Sequence, residues 1–290
     1  MYQDQTWTTG LSVLALLISG VALFFVFSGQ GGFSNTGDRF GQSTLDQVIS
    51  AGRIDAAYVK YPPTVTVRGD SVSGFLVDVM DQIAEEADLE ISFEETTFGN
   101  MGAALSSERA DIIVGAVFKT IPRAARLGFT SPIMYWGGTA GVVDTSLTFR
   151  IDELSDINNP EITVTVTSGT AEHDWAKDNL SKANLRPIPN DDISLTLAEV
   201  SAGRADVALA DAYAVETYAN THADVAPLLD GRQFNSFAVS FVVRKEDDEL
   251  REFLNESIEV LHVNGTIEQL SRKWEGDQDI WDLPDRPRRK

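Results

Sequence analysis

The amino-acid sequence predicts an α/β chain of two lobes, preceded by an apolar N-terminal helix. Three observations lead there. Short continuous apolar runs, as in buried strands, alternate with stretches whose apolar residues recur at helical spacing. A local signature, Arg109-Ala110-Asp111 in one half and Arg204-Ala205-Asp206 in the other, stands in the same helix–turn–strand context. Leu11 to Ser28 is uncharged over 18 residues. At 290 residues the chain allows one large domain or two small ones. An apolar content of 43% is enough to build a buried core.

The first element is the run LSVLALLISGVALFFVFS. It is apolar all round, which sets it apart from a surface helix, and its length is at the lower end of what spans a bilayer. The reading is a transmembrane or signal-anchor segment over 1–28 and a flexible, Gly-rich linker over 29–42. Residues 1–10 contain no Lys or Arg, and no A-x-A follows the run. Both absences favour a retained anchor over a cleaved signal peptide. Neither flank is strongly basic, so loop charge does not set the orientation. The large acidic domain is expected outside the membrane.

The globular pattern begins after Gln42. Thr44 to Ser50 reads as a short helix and Ile54 to Val59 as a strand ending at Tyr61-Pro62-Pro63. Phe75, Val79 and Ile83 recur at i, i+4 and i+8, with Leu76 and Met80 beside them, so this stretch is an amphipathic helix. Ile91 to Phe93 is a strand, Gly99 to Ser107 a helix, and Ile112 to Val117 a buried strand. The second half repeats this order. Ile162 to Val166 is a strand, Thr170 to Leu180 and Ile193 to Ser201 are helices, and Val207 to Ala210 is a buried strand. Ala238 to Val243 is a further strand with no place in the repeat, so it is expected to return to the first lobe. Helices over Glu246 to Val263 and Thr266 to Trp274 follow it. The predicted lobes are 43–134 plus 236–276 and 135–235, with a hinge and a cleft between them. A tail over 277–290 packs Trp281 and Leu283 on the first lobe and ends in a basic RPRRK, read as solvated.

Composition excludes several functions. Asp plus Glu number 44 against 23 Lys plus Arg, a net charge of −21. Such a chain is repelled by phosphate backbones, so no nucleic-acid partner is expected. The absence of Cys excludes disulfides, thiolate metal sites and Cys nucleophiles. Three scattered His make a His-rich metal centre a poor reading, and no metal or cofactor is expected.

The order of motifs resembles the extracellular solute-binding proteins of family 3, the amino-acid-binding components of ABC importers. The motifs are Tyr61-Pro62-Pro63, Gly74-Phe75-x-x-Asp78, Phe98 before a helix, Arg109-Ala110-Asp111-Ile112-Ile113, Thr120-Ile121-Pro122-Arg123 with Phe129-Thr130-Ser131-Pro132, Ser168-Gly169-Thr170, Gly203-Arg204-Ala205-Asp206-Val207 with Asp211, and Gly265-Thr266 ending at Lys273-Trp274-Glu275-Gly276. They cover roughly Thr44 to Gly276. No single motif is specific; their shared order and spacing carry the resemblance. It implies the periplasmic-binding-protein type II fold, two lobes about a hinge.

The resemblance also implies a binding site. Holding a free amino acid away from water needs a cation for its carboxylate and an anion for its ammonium. By resemblance Arg123 is the carboxylate-binding residue, and its guanidinium offers a two-pronged fork; neighbouring Arg126 reads as a surface residue. By resemblance Asp211 takes the ammonium, although a helix N-cap is an alternative role for it. Thr170 is implied as a carboxylate contact from the second lobe, with simple capping as the alternative. Tyr61 and Phe98 match aromatic positions that sandwich the ligand, and Phe98 is equally suited to the core. Phe118 stands where the family often has Ser or Thr, which makes the site more apolar. Tyr58 stands where binders of basic amino acids commonly carry an acid, and Thr64 replaces the usual aromatic after Pro-Pro. Together these departures point to an apolar or aromatic amino acid, or another small carboxylate, packed among Phe98, Phe118, Tyr61 and Tyr58.

The expected function is a membrane-tethered, extracytoplasmic solute-binding protein that is not an enzyme and serves an ABC transporter permease. It lies on the periplasmic or extracellular face, with secretion after cleavage as the alternative. A sensor subunit for a signalling partner is a second possibility; no kinase, cyclase or lysozyme-like module follows Gly276. A third is a cyclohexadienyl-type dehydratase acting on prephenate or arogenate. The resemblance places that enzyme's acid three residues after Asp211, where this chain has Ala214.

Overall fold

The structure, a computed structural model, describes residues 42–189, 192–275 and 281–285. The apolar N-terminal run and nearly all of the expected linker lie outside the described residues. Among the described residues no helix is long and apolar enough to cross a membrane.

The first half runs α1 (Thr44–Ala51), β1 (Arg53–Val59), β2 (Thr66–Arg68), β3 (Ser71–Ser73), α2 (Phe75–Glu86), β4 (Glu90–Thr96), α3 (Met101–Ser106), β5 (Ile112–Val114), α4 (Ile121–Ala124) and β6 (Leu127–Phe129). The long β7 (Tyr135–Asp144) then opens the second half: β8 (Thr163–Thr167), α5 (Ala171–Asn179), β9 (Asn184–Ile188), α6 (Ile193–Ser201), β10 (Val207–Asp211), α7 (Ala212–Thr221), β11 (Val225–Pro227) and β12 (Phe234–Val239). The chain closes with β13 (Val242–Arg244), α8 (Asp248–Asn264) and α9 (Thr266–Glu275).

Three sheets result, one large sheet per lobe and a two-stranded ribbon of β2 and β3. The first has the order β4-β1-β5-β13-β6, with β1 parallel to β4 and β5 and β13 antiparallel to its neighbours. The second has the order β11-β7-β10-β8-β9, with β12 also paired to β7. The expected strand over Ala238 to Val243 is in fact divided. Ala238 and Val239 pair with Trp136 and Tyr135 of β7, whereas Val242 and Val243 pair with Ile113 and Ile112 of β5. Chain between them, Ser240-Phe241, passes from one sheet to the other. Its apolar run is continuous because both parts are buried, so hydropathy carries no mark of the division. Ile112 to Val117 also leaves the ladder early, at Val114, where Gly115 follows.

Packing follows the helical stripe read from the sequence. Phe75, Leu76, Val79, Met80 and Ile83 of α2 are buried against Leu250, Leu254 and Ile258 of α8 in one core. Trp281 from the tail joins it, 5% exposed and stacked on Phe75 with ring centroids 4.4 Å apart. Its neighbour Asp282 accepts a bond from the Trp136 amide of β7 at 2.8 Å.

The repeated Arg-Ala-Asp turn does the same work in both lobes. The Asp111 carboxylate accepts the Asp55 amide of β1 at 3.1 Å. The Asp206 carboxylate accepts the Thr163 amide of β8 at 2.7 Å. Each thus satisfies a backbone donor at the start of a parallel strand, where the ladder supplies no partner.

Candidate functional site

The site is built from loops and helix starts at the ends of strands, where ligands gather in α/β folds. Tyr61 follows β1. Its backbone exchanges two 2.9 Å bonds with Val65, and the Thr64 hydroxyl donates to its carbonyl at 2.6 Å, which pins the loop. Phe98 lies between β4 and α3. Phe118 follows β5 and stacks on Phe237 at a centroid distance of 4.9 Å. Arg123 sits on the single turn of α4, whose start is capped by Thr120. Thr170 and Asp211 cap α5 and α7.

These six residues line one cavity between the lobes, together with Glu172, Ala116, Ala171 and Ile193. The cavity is small, about 20 Å³, enough for one water molecule. A ligand of amino-acid size enters only if the lobes part. Contacts across the cleft hold them together here. Arg123 Nη1 donates to the Phe118 carbonyl at 2.9 Å, and Nη2 reaches across to the Gly169 carbonyl at 2.8 Å. At Gly169 the backbones of the two lobes touch: its φ is +82°, and a Cβ there would stand 2.9 Å from the Gly99 Cα and N. Only glycine permits both that conformation and that approach.

Capping, the alternative role for Thr170 and Asp211, is present in both. Thr170 Oγ1 accepts the His173 amide at 3.2 Å and donates to the Thr167 carbonyl at 2.9 Å. Asp211 Oδ1 accepts the Tyr213 amide at 3.0 Å, while Oδ2 lies beside Gly137. Capping therefore fixes the Asp211 carboxylate.

Glu172 is the site residue that sequence reasoning missed. It is 5% exposed, in the first turn of α5, two residues after Thr170. An acid so placed reads as an ordinary helix-dipole partner, and nothing in the sequence signals its burial. Its presence gives the cavity one cation and two carboxylates. Burial, and then the Glu172 charge, pushes the Asp211 carboxyl up to about 7, against the pull of the Tyr213 and Ala214 amides and the Tyr61 hydroxyl. Burial also raises the Glu172 carboxyl, opposed by its own amide, the Thr170 hydroxyl and the Arg123 charge. Arg123 is lowered by burial and supported by Glu172 and Asp174. The Tyr61 hydroxyl is buried, close enough to Asp211 to feel its charge, and makes no hydrogen bond of good geometry.

One expected lining residue is elsewhere. Tyr58 packs edge-on against Phe93 in the core of the first lobe, and its hydroxyl donates to Glu95 at 3.3 Å. Residues on β1 alternate between the two faces of the sheet, so Tyr58 and Tyr61 fall in different clusters. Tyr58 therefore does not line this cavity.

Comparison with known proteins agrees with this geometry. The family described as bacterial extracellular solute-binding proteins, family 3, matches residues 54–277. A probable amino-acid ABC transporter-binding protein of Haemophilus influenzae is 26% identical over 215 residues, covering 74% of this chain and 80% of that one. Cyclohexadienyl dehydratase of Pseudomonas aeruginosa is 22% identical over 235 residues, covering 80% and 86%. Among solved structures, an ancestral amino acid-binding protein described as a precursor of cyclohexadienyl dehydratase superposes with a TM-score of 0.72 at 26% identity, covering 80% of this chain and 99% of that one. A family match over most of the chain, with a two-lobed architecture to go with it, has one reading: the chain belongs to the bacterial extracellular solute-binding proteins of family 3.

Proposed function

We propose that this protein captures an amino acid or a similar small carboxylate in the interlobe cleft and presents it to an ABC transporter permease. The observation that carries this reading is the placing of Arg123 and Asp211 in one buried cavity, with aromatic walls from Tyr61, Phe98 and Phe118. A zwitterion satisfies both charges at once, whereas either alone is costly to bury. Lobes of about 43–134 plus 236–276 and 135–235 close on the ligand, with the paired strands β7 and β12 as the hinge. Residues 1–28 anchor the chain on the periplasmic or extracellular face. Residues 29–42 act as a tether with a reach of about 20 Å, which raises the local concentration of the lobes at a permease.

The experiment is a thermal-shift screen across amino acids and small carboxylates, repeated with Arg123→Ala. Selective binding raises the melting temperature of the native chain, and Arg123→Ala is expected to abolish the shift. An undiminished shift in the variant counts against the site. Intact-mass analysis of the native N-terminus tests the anchor: a Met1 or Tyr2 start supports it, and a start near Gln30 contradicts it.

Glu172 favours one second reading. A buried, readily protonated carboxyl in the cavity is what a dehydratase needs as general acid, although Ala214 stands where the resemblance would put that acid. Incubation with prephenate and arogenate decides: the binding-protein reading expects no turnover.

A further inference from the structure

Where the two crossing strands join the lobes, a third stretch of chain meets them. β7 begins at Tyr135-Trp136, and β12 runs beside it, with Val239 opposite Tyr135 and Ala238 opposite Trp136. On its other edge β7 pairs with β10, but only from Thr139 onward. The tail takes the edge that β10 leaves. The Trp136 amide donates to the Asp282 carbonyl at 2.8 Å, in an isolated antiparallel bridge.

The same tail is fixed to the first lobe. Trp281, buried, stacks on Phe75 of α2, and Leu283 packs against the same core. The Trp281 amide donates to Glu275 Oε1 at 2.8 Å, and Glu275 Oε2 accepts the buried Ser271 hydroxyl at 3.1 Å. Helix α9, which carries Ser271 and Glu275, is itself held on α2: Trp274 Nε1 and Lys273 Nζ both bond Asp78 Oδ2, each at 2.7 Å. From this base the Trp281 ring also leans on Tyr135, at a centroid distance of 6.0 Å. The first two residues of β7 are therefore tied to the first lobe through the tail, Tyr135 by its ring and Trp136 by its backbone.

We propose that residues 281–285 are a strap across the hinge that holds the lobes closed, with Trp281 as its positioning residue. The inference rests on the reading that the lobes close on an amino acid. Hinge bending is taken up by the φ and ψ of a few residues, and a strand held on both edges resists it more than a strand held on one. On that reading, opening turns β7 away from α2 and α9, which breaks the Trp136 bond and the Tyr135 contact. Contacts made in the closed form and lost in the open one shift the balance toward closure. A backbone hydrogen bond and a ring contact together correspond to a factor of about five. Apparent affinity follows the closed population, so the strap strengthens binding by that factor without touching the ligand. None of residues 281–285 lines the interlobe cavity.

The test is small-angle scattering of the full chain during titration with an equimolar mixture of the standard amino acids, for wild type, Trp281→Ala, Trp281→Phe and Leu254→Ala. Leu254 is fully buried in the same core but on α8, so its loss reports weakening of the first lobe alone. Without amino acids, Trp281→Ala is expected to have a larger radius of gyration than wild type. At saturation the two reach the same radius, Trp281→Ala at a midpoint about fivefold higher, with Trp281→Phe in between. Leu254→Ala keeps the wild-type radius and midpoint. A wild-type radius and midpoint for Trp281→Ala would overturn the strap. So would an equal shift in Leu254→Ala, or a radius that stays larger at saturation. If the mixture changes no radius, the capture of amino acids fails as a reading, and the ligand-free radius of Trp281→Ala alone decides the strap: a larger value supports it, and an unchanged value overturns it.

Discussion

At the far end of each lobe an Asp following Arg-Ala anchors a parallel strand, Asp111 on β1 and Asp206 on β8, with nearly the same geometry. At the ends that meet across the cleft the lobes differ in charge. The first brings the guanidinium of Arg123 among aromatic rings, and the second brings the carboxylates of Asp211 and Glu172 from the starts of two helices. A repeated scaffold thus carries an unrepeated pair of surfaces. The turn is constrained by the backbone donors any parallel strand must satisfy, whereas the cleft ends are constrained by what lies between them.

The largest effect should come from making the cleft ends alike. Arg123→Ala leaves two carboxylates facing each other with no cation, and amino-acid affinity measured by titration should fall at least 100-fold. Asp211→Asn should fall less, about 10- to 100-fold, since the amide keeps the α7 cap as an acceptor but loses the charge. A smaller loss for Arg123→Ala than for Asp211→Asn would reverse the roles given to the lobes.

Making the far ends unlike should affect stability and spare binding. Asp111→Ala and Asp206→Ala each remove the acceptor of a part-buried amide, a cost of about 1–3 kcal/mol in denaturant unfolding. Asp111 should cost more, because it also pairs with Arg244 at 3.1 Å, a side chain that further donates to the Leu105 and Ala110 carbonyls. Equal losses would mean that the Arg244 network adds nothing.

The smallest expected effect is in pH. Between its ordinary 3.8 and about 7, Asp211 holds its proton in the closed form and loses it in the unfolded chain. Closed-form stability is therefore full below about pH 4 and lost as pH rises through about 7. The full rise is worth about 4 kcal/mol. Opening of the lobes exposes Asp211 and relieves it, so a melting curve should register only a small part of that loss between pH 5 and 8. The groups facing Asp211 are Glu172, Tyr61 and Tyr135. Asp211→Asn should flatten the slope; an unchanged slope would assign it to another group.

Legibility in the sequence divided along similar lines. Helix α2 and strands β1, β5, β8 and β10 carry apolar periodicity that local reading detects. Strand β7 escaped it because Gly137, Gly138 and Gly141 lower its strand propensity, although it is the hub of the second sheet. The division at Ser240 escaped because burial on both sides erases the pattern. Arg123, Thr170 and Asp211 stand in motifs whose register marks them. Glu172 has no such mark, since its burial depends on which residues from distant segments come to face one another.

The most direct test of the central claim is a crystal structure of the chain with the amino acid that most raises its melting temperature. The account predicts the ligand's carboxylate on the Arg123 guanidinium, in place of its bond to the Gly169 carbonyl, and its ammonium within 3.2 Å or so of Asp211 Oδ2. A ligand bound away from Arg123, or with its ammonium turned from Asp211, would contradict it.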